Sequence, residues 1–158
     1  MSYETVEVRV ATDTYEVSPE PVLLTADLSG ALALCLHDEV RRVGGLLHWR
    51  FAGGTGRPSD VTDNTLSSVL AVLDRFKRAV IGGASRHDQI QARILAHALP
   101  RSDDGEPTAT LADLLRADLA DAKIECGAQV IRRVNPVRVC FQPFHGRMWV
   151  DRGDRASG

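Results

Sequence analysis

The chain has 158 residues, 44% of them hydrophobic and 25% charged, the profile of a globular domain large enough to bury one core without disulfide or metal staples. Its 19 basic and 21 acidic residues leave a net charge of −2, which argues against a general nucleic-acid binder: phosphate contacts need clustered Lys and Arg, and the one small cluster is Arg132-Arg133. No apolar run reaches the ~18–20 residues of a membrane helix, and the opening Met1-Ser2-Tyr3-Glu4 is too polar for a secretory leader, so a cytoplasmic protein with no membrane insertion is expected.

Residues 4–10 alternate polar and apolar around Val6, Val8 and Val10, which predicts a half-buried strand. Pro19 and Pro21 break the chain, and Val22-Leu23-Leu24-Thr25 is a short apolar run. After a turn at Ser29-Gly30, residues 31–36 are apolar throughout, as in a strand covered on both faces. His37-Asp38-Glu39 is turn-like, and residues 43–49 form a second buried strand, so the two read as a hairpin. Gly53, Gly54, Gly56 and Pro58 mark a flexible loop.

A helix is expected from about residue 60 to 77, with Val61, Leu66, Val69, Leu70, Leu73 and Phe76 at roughly helical spacing. Ala79-Val80-Ile81 reads as a strand ending in a Gly82-Gly83 turn. Residues 89–99 read as a helix closed by Pro100, and residues 101–109 as a surface loop. Leu111, Leu114, Leu115 and Leu119 mark another helix, and strands are expected at 124–134, 137–141 and 148–150. The order is strands, then helix–strand–helix–helix, then strands, without a βαβ alternation, so the fold class is α+β. One domain over residues 1–151 is expected, with a polar, disordered tail over 152–158.

Cys35, Cys126 and Cys140 form no CxxC pair, which argues against a disulfide framework and a structural zinc site. Cys35 and Cys140 lie in apolar runs and read as buried, inert thiols. His87 with His97, and His145 with Asp151, lack metal-site spacing, and Asp103-Asp104 reads as solvated loop. Gly44-Gly45 and Gly82-Gly83 are turn or close-packing signals and not a phosphate loop, since no Gly-Lys-Ser/Thr follows. No cofactor is implied.

Thr25-Ala26-Asp27-Leu28-Ser29-Gly30-Ala31 is followed by a strand ending Cys35-Leu36-His37-Asp38, then by Gly44-Gly45-Leu46-Leu47-His48. This resembles the active-site segment of the CheD chemoreceptor glutamine deamidases, which carry a Thr, a Leu-Gly-Ser-Cys turn, an apolar strand, a Gly-Gly pair and a His. Gly82-Gly83-Ala84 resembles the family's Gly-Gly-Ala turn after a strand, and Val139 to Pro143 with Gly146-Arg147-Met148-Trp149-Val150 resembles its closing strands. The blocks fall in order over roughly residues 20–150. The resemblance implies a CheD-like mixed β-sandwich with helices packed on one side, related to cysteine-hydrolase-like toxin deamidases. It also implies a Cys–His–Thr triad that converts receptor glutamine to glutamate.

That chemistry needs a thiolate to attack the amide carbon, an imidazole to take the thiol proton and protonate departing ammonia, and a polar group to hold the ring. Carried over, His48 is the base and Thr25 its orienting partner, but the nucleophile falls on Ala31. Cys35 lies four residues further on, about 13 Å away at ~3.3 Å per residue in a strand, beyond the reach of the same base. Ser29 is nearer but a poorer nucleophile, and stands where the family has glycine. Leu47 replaces the family's Asn, Val134-Asn135-Pro136 its glycine-rich stretch, and residues 101–109 read as an insertion. Two functions remain: a CheD-like chemotaxis protein that has lost its nucleophile and binds chemoreceptor cytoplasmic helices or a CheC-type phosphatase, and an active protein-glutamine deamidase. Ser29, Gly30, Gly44, Gly45, Gly82 and Gly83 are the expected groove and turn residues.

Overall fold

The computed structural model describes residues 5–50, 63–82, 86–98, 100 and 106–151. Its strands are β1 (Glu7–Arg9), β2 (Thr14–Ser18), β3 (Leu23–Leu28), β4 (Ala31–Asp38), β5 (Val43–Arg50), β6 (Ile90–Ala98), β7 (Cys126–Arg132), β8 (Val137–Gln142) and β9 (Arg147–Asp151). Its α-helices are α1 (Asp63–Ile81) and α2 (Glu106–Asp121). The strands form a four-stranded sheet, β1-β3-β8-β9, and a five-stranded sheet, β2-β5-β4-β6-β7. The parallel pairs are β1 with β3 and β6 with β7; the second is bridged by α2, as a parallel pair requires a crossover. The α+β expectation holds. No helix among the described residues is long and apolar enough to cross a membrane.

All eight residues of β4 are buried, because it lies between β5 and β6 and is covered on both faces. Side chains alternate along a strand. Leu32, Leu34 and Leu36 therefore enter one core with Val69, Leu73, Phe76 and Val80 of α1 and Leu111, Leu115 and Leu119 of α2. Ala31, Ala33 and Cys35 enter a second core between the sheets, with Leu24, Ala26 and Leu28 of β3 and Val137, Val139 and Phe141 of β8. The molecule is thus layered: four-stranded sheet, five-stranded sheet, helices. Small residues on the inner face of β4 let the sheets approach, and leucines on its other face fill the deeper helix–sheet layer.

Several expected elements differ. The segment read as a strand at Ala79-Val80-Ile81 is the last turn of α1, because Val80 continues the stripe of Val69, Leu73 and Phe76 into the core. Gly82 therefore ends a helix, its N–H donating to the Arg78 carbonyl at 3.1 Å. The helix expected at 89–99 is strand β6. Its Gln, Ala, Arg and Leu are helix formers, but Ile90, Ala92, Ile94 and Ala96 alternate into the helix-side core, and a place between β4 and β7 overrides propensity. Helix α2 begins at Glu106, inside the expected loop, with Pro107 in its first turn where the missing N–H costs nothing. Strand β2 was not expected; its Tyr15 and Val17 pack on the helix-side core. Gly83, the 53–58 loop, Asp103-Asp104 and the 152–158 tail lie outside the described residues, as does the His87 side chain.

Candidate functional site

The chain leaves β3 at Leu28 and enters β4 at Ala31, passing from one sheet to the other through Ser29 and Gly30 alone. Gly30 takes φ +60°, the left-handed region that favours glycine. Ser29 is exposed at the apex of the turn. Ala31 is 1% exposed, its methyl group in the core between the sheets.

His48 is 5% exposed and lies on β5, opposite Ala33 of β4 and Thr14 of β2. It shares a strand face with Leu46, which belongs to the intersheet core, so its ring turns to the same side as Ala31. Ala31 pairs with Arg50, two residues beyond His48, so the two are diagonal neighbours on adjacent strands, ~7–8 Å apart at the backbone. His48 and Ala31, where the resemblance puts the base and the nucleophile, therefore share one face of the sheet.

Thr25 is placed differently. Leu24 and Ala26 face the intersheet core, so Thr25 faces the other way, and its hydroxyl donates to Glu7 Oε1 at 3.3 Å. The group that holds His48 is the main chain: Nδ1 lies 3.0 Å from the Val10 carbonyl oxygen. A carbonyl only accepts, so Nδ1 carries a proton and donates. Val10 is itself fixed by its N–H donating to the Thr25 carbonyl at 2.7 Å. The Thr25 main chain thus reaches the His48 ring through one backbone–backbone and one side chain–backbone hydrogen bond. The segment from Val10 to Asp13 is tied to the β5 main chain: Asp13 N–H donates to the His48 carbonyl at 2.7 Å, and Arg50 N–H to Asp13 Oδ1 at 3.0 Å.

A second buried histidine, not expected from the sequence, flanks Ala31. His97 on β6 is 1% exposed. One step beyond the Leu32–Ala96 pair, it stands opposite Ala31 on the face it shares with Leu95. Gly30 N–H donates to its Nδ1 at 3.0 Å, and its Nε2 lies 2.9 Å from the Arg133 carbonyl oxygen. These partners fix the tautomer: Nδ1 accepts and Nε2–H donates. Its signal in the sequence, a histidine closing an apolar strand, is visible only once 90–98 is read as a strand.

The remaining candidates are structural. Cys35 is buried in the intersheet core, and burial pushes its thiol far above the usual range. Beside it a cavity of about 30 Å³, enough for one water, is bounded by His37, Arg93, Phe141 and Met148. Burial also pushes His37 down, against the opposing hydrogen bond to the Pro143 carbonyl at 2.8 Å. Gly44 and Gly45 lie within β5 and are packing positions. A Cβ on Gly44 would sit 2.7 Å from the Leu36 carbonyl oxygen, and one on Gly45 would sit 2.5 Å from that of Glu16 and 2.7 Å from the Phe76 ring. The hairpin turn falls instead after Asp38, whose buried carboxylate accepts from Val40 N–H, Arg41 N–H and Gln89 Nε2. A groove of about 1150 Å³ between α2 and the starts of β6 and β7, lined by Arg93, Asp113, Arg116, Lys123 and Glu125, opens at the end of β6 remote from His97. Asp27 on the outer face of β3 is held below the usual carboxylate range by its hydrogen bond from Arg138 at 2.7 Å.

What these parts define is a two-sheet α+β domain with a buried, main-chain-oriented histidine beside an alanine that carries no reactive group. Over 149 residues the chain is 24% identical to a Burkholderia thailandensis protein named "Probable chemoreceptor glutamine deamidase CheD 1", covering 92% of this chain and 63% of that relative. Proteins named "Probable chemoreceptor glutamine deamidase CheD" from Burkholderia mallei and Burkholderia pseudomallei match with the same identity and coverage. The chain spans less than two thirds of the length of these curated relatives. No family model matches it. Among solved structures, the Bacillus licheniformis hypothetical protein YfiH overlaps with a TM-score of 0.46 and 16% identity, over 73% of this chain and 50% of that one.

Proposed function

We propose that this chain is a CheD-like chemotaxis protein that keeps the base of a glutamine deamidase without its nucleophile, and that acts by docking on chemoreceptor cytoplasmic helices or on a CheC-type phosphatase. One observation carries the reading: the Ala31 methyl stands at the head of β4, on the same face as His48, whose Nδ1 is held by Val10. A methyl group cannot attack an amide, so the base has nothing to deprotonate. Similarity over nearly the whole chain to proteins named as chemoreceptor glutamine deamidases supports the class of partner.

The second reading, an active deamidase, needs a stand-in nucleophile. Ser29 is at the exposed apex of the turn, and Cys35 is a buried, protonated thiol about 13 Å along β4 from Ala31 at ~3.3 Å per residue. The Ser29 hydroxyl is a poorer nucleophile without a strong base, and Cys35 lies too far along β4 for a base that must come within ~3.2 Å of the proton it takes. Incubation with chemoreceptor cytoplasmic fragments, followed by mass spectrometry for the roughly one-dalton Gln-to-Glu shift, separates the readings. The expected result is no turnover by the chain as it stands and some by the Ala31→Cys variant. Clear turnover by the unaltered chain overturns the reading. Pull-downs with receptor fragments and with a CheC-type phosphatase test the docking role, which fails if neither is retained.

A further inference from the structure

The Gly30 N–H is a backbone donor one residue before the position of the absent nucleophile, and it points to the intersheet side, toward the His97 ring. An acyl carbon attacked at position 31 would develop its negative oxygen close to this donor, and preorganised N–H groups at that place are what stabilise such an oxyanion. The donor is not free. His97 Nδ1 takes it at 3.0 Å, and the ring is anchored from behind by Nε2–H donating to Arg133. The ring is also nearly sealed from solvent.

We infer that His97 is a stopper for the oxyanion position: it occupies, from within the protein, the backbone donor that acyl transfer at the head of β4 would use. This rests on reading position 31 as a former nucleophile site. It adds a second, separate block to the missing thiol, so restoring the thiol alone restores little acyl chemistry. Two bonds hold the stopper, and a side chain that can both accept from Gly30 and donate to Arg133 reproduces it.

The test uses the full chain carrying Ala31→Cys and a small acyl probe, p-nitrophenyl acetate, so that no receptor is involved. The new thiolate attacks the acetyl carbonyl, the C–S bond forms, and collapse of the tetrahedral oxyanion expels p-nitrophenolate and leaves an acetyl thioester. Alkylation of the same thiolate by iodoacetamide displaces iodide and passes through no oxyanion. The ratio of acylation to alkylation rates therefore isolates oxyanion stabilisation from changes in thiol ionisation or access. Adding His97→Ala, or His97→Ser if the alanine variant loses its native circular dichroism, is expected to raise this ratio on the order of a hundredfold, the typical effect of one oxyanion donor. Adding His97→Gln, whose amide can accept from Gly30 and donate to Arg133, is expected to leave it low. An unchanged ratio on removing the imidazole, or a ratio raised equally by Gln, overturns the inference. Because the probe is not a receptor, these outcomes stand apart from failure of the docking reading, which is judged by pull-down.

Discussion

Replacing His48 with alanine tests how far its Val10 hydrogen bond and its packing support the fold. Two effects add. The Val10 carbonyl, in a residue 1% exposed, loses its imidazole donor, and an orphaned buried acceptor costs about 1–3 kcal/mol. The imidazole also leaves a void beside Leu46 and Ala33, and large-to-small changes in a core cost about 2–5 kcal/mol. His48 lies at the margin of the intersheet core, where the Val10 strap can relax, so the lower ends apply and about 3 kcal/mol in total is expected. At ~2–4 °C per kcal/mol for a chain of this size, the melting temperature falls by roughly 6–12 °C. His48→Gln keeps a donor and most of the volume and should recover more than half of the loss. Differential scanning calorimetry at pH 8 reads both. A melting temperature for His48→Ala within about 2 °C of the unaltered chain would refute the reasoning, since the Val10 bond and the packing would then contribute nothing.

Other outcomes follow from neighbouring geometry. Gly45→Ala forces a Cβ against the Glu16 carbonyl and the Phe76 ring, and should lose at least ~1–3 kcal/mol in urea titration; Gly30→Ala meets open space but must hold φ +60°, and should lose only ~1–2 kcal/mol. Burial pushes the Asp38 carboxyl up, but donation from Arg41 N–H, the Gln89 side chain and Val40 N–H, with the Arg41 charge, brings it net below its usual value. The stability it contributes is therefore complete above the unfolded value of ~3.9 and is lost as pH falls through the lower folded value. Asp38→Asn should be less stable at pH 7 and should show a shallower decline below pH ~4, read by chemical denaturation across that range. Cys126, pushed up to about 11 by burial, should react slowly with a thiol reagent in the native protein at pH 8 and at once in denaturant. Leu73→Ala on α1 removes a fully buried side chain and should cost ~2–5 kcal/mol.

The hairpin of β4 and β5 was legible because two unbroken apolar runs admit few other readings, and Ala31 and His48 came with it by register. β6 was not legible, because Gln91, Ala92, Arg93 and Leu95 suit a helix in isolation and only β4 and β7 on either side make them a strand. His97 was lost with β6, since its meaning depends on standing beside Gly30. The partner of His48 was invisible for a different reason. A main-chain carbonyl carries no residue type, so nothing at Val10 in the sequence announces an acceptor, whereas Thr25 offered a hydroxyl that the fold turns to the opposite face. The Gly44-Gly45 pair was read as a turn or close-packing signal, and close approach by Pro143, Glu16 and Phe76 decides for packing.

The ordering of the His48 ring is tied to the shortest strand among the described residues. β1 has three residues, pairs with β3 alone at the margin of its sheet, and leads directly into Val10. Such margins exchange their amide protons through local opening, far below the free energy of global unfolding. Each time β1 lifts from β3, the Val10 carbonyl leaves with it and the imidazole becomes free to rotate. The orientation of the His48 ring is therefore expected to follow the fraying equilibrium of residues 7–10, not the stability of the domain. Hydrogen-exchange protection at Val10, whose N–H donates to the Thr25 carbonyl, is the quantity that reports it.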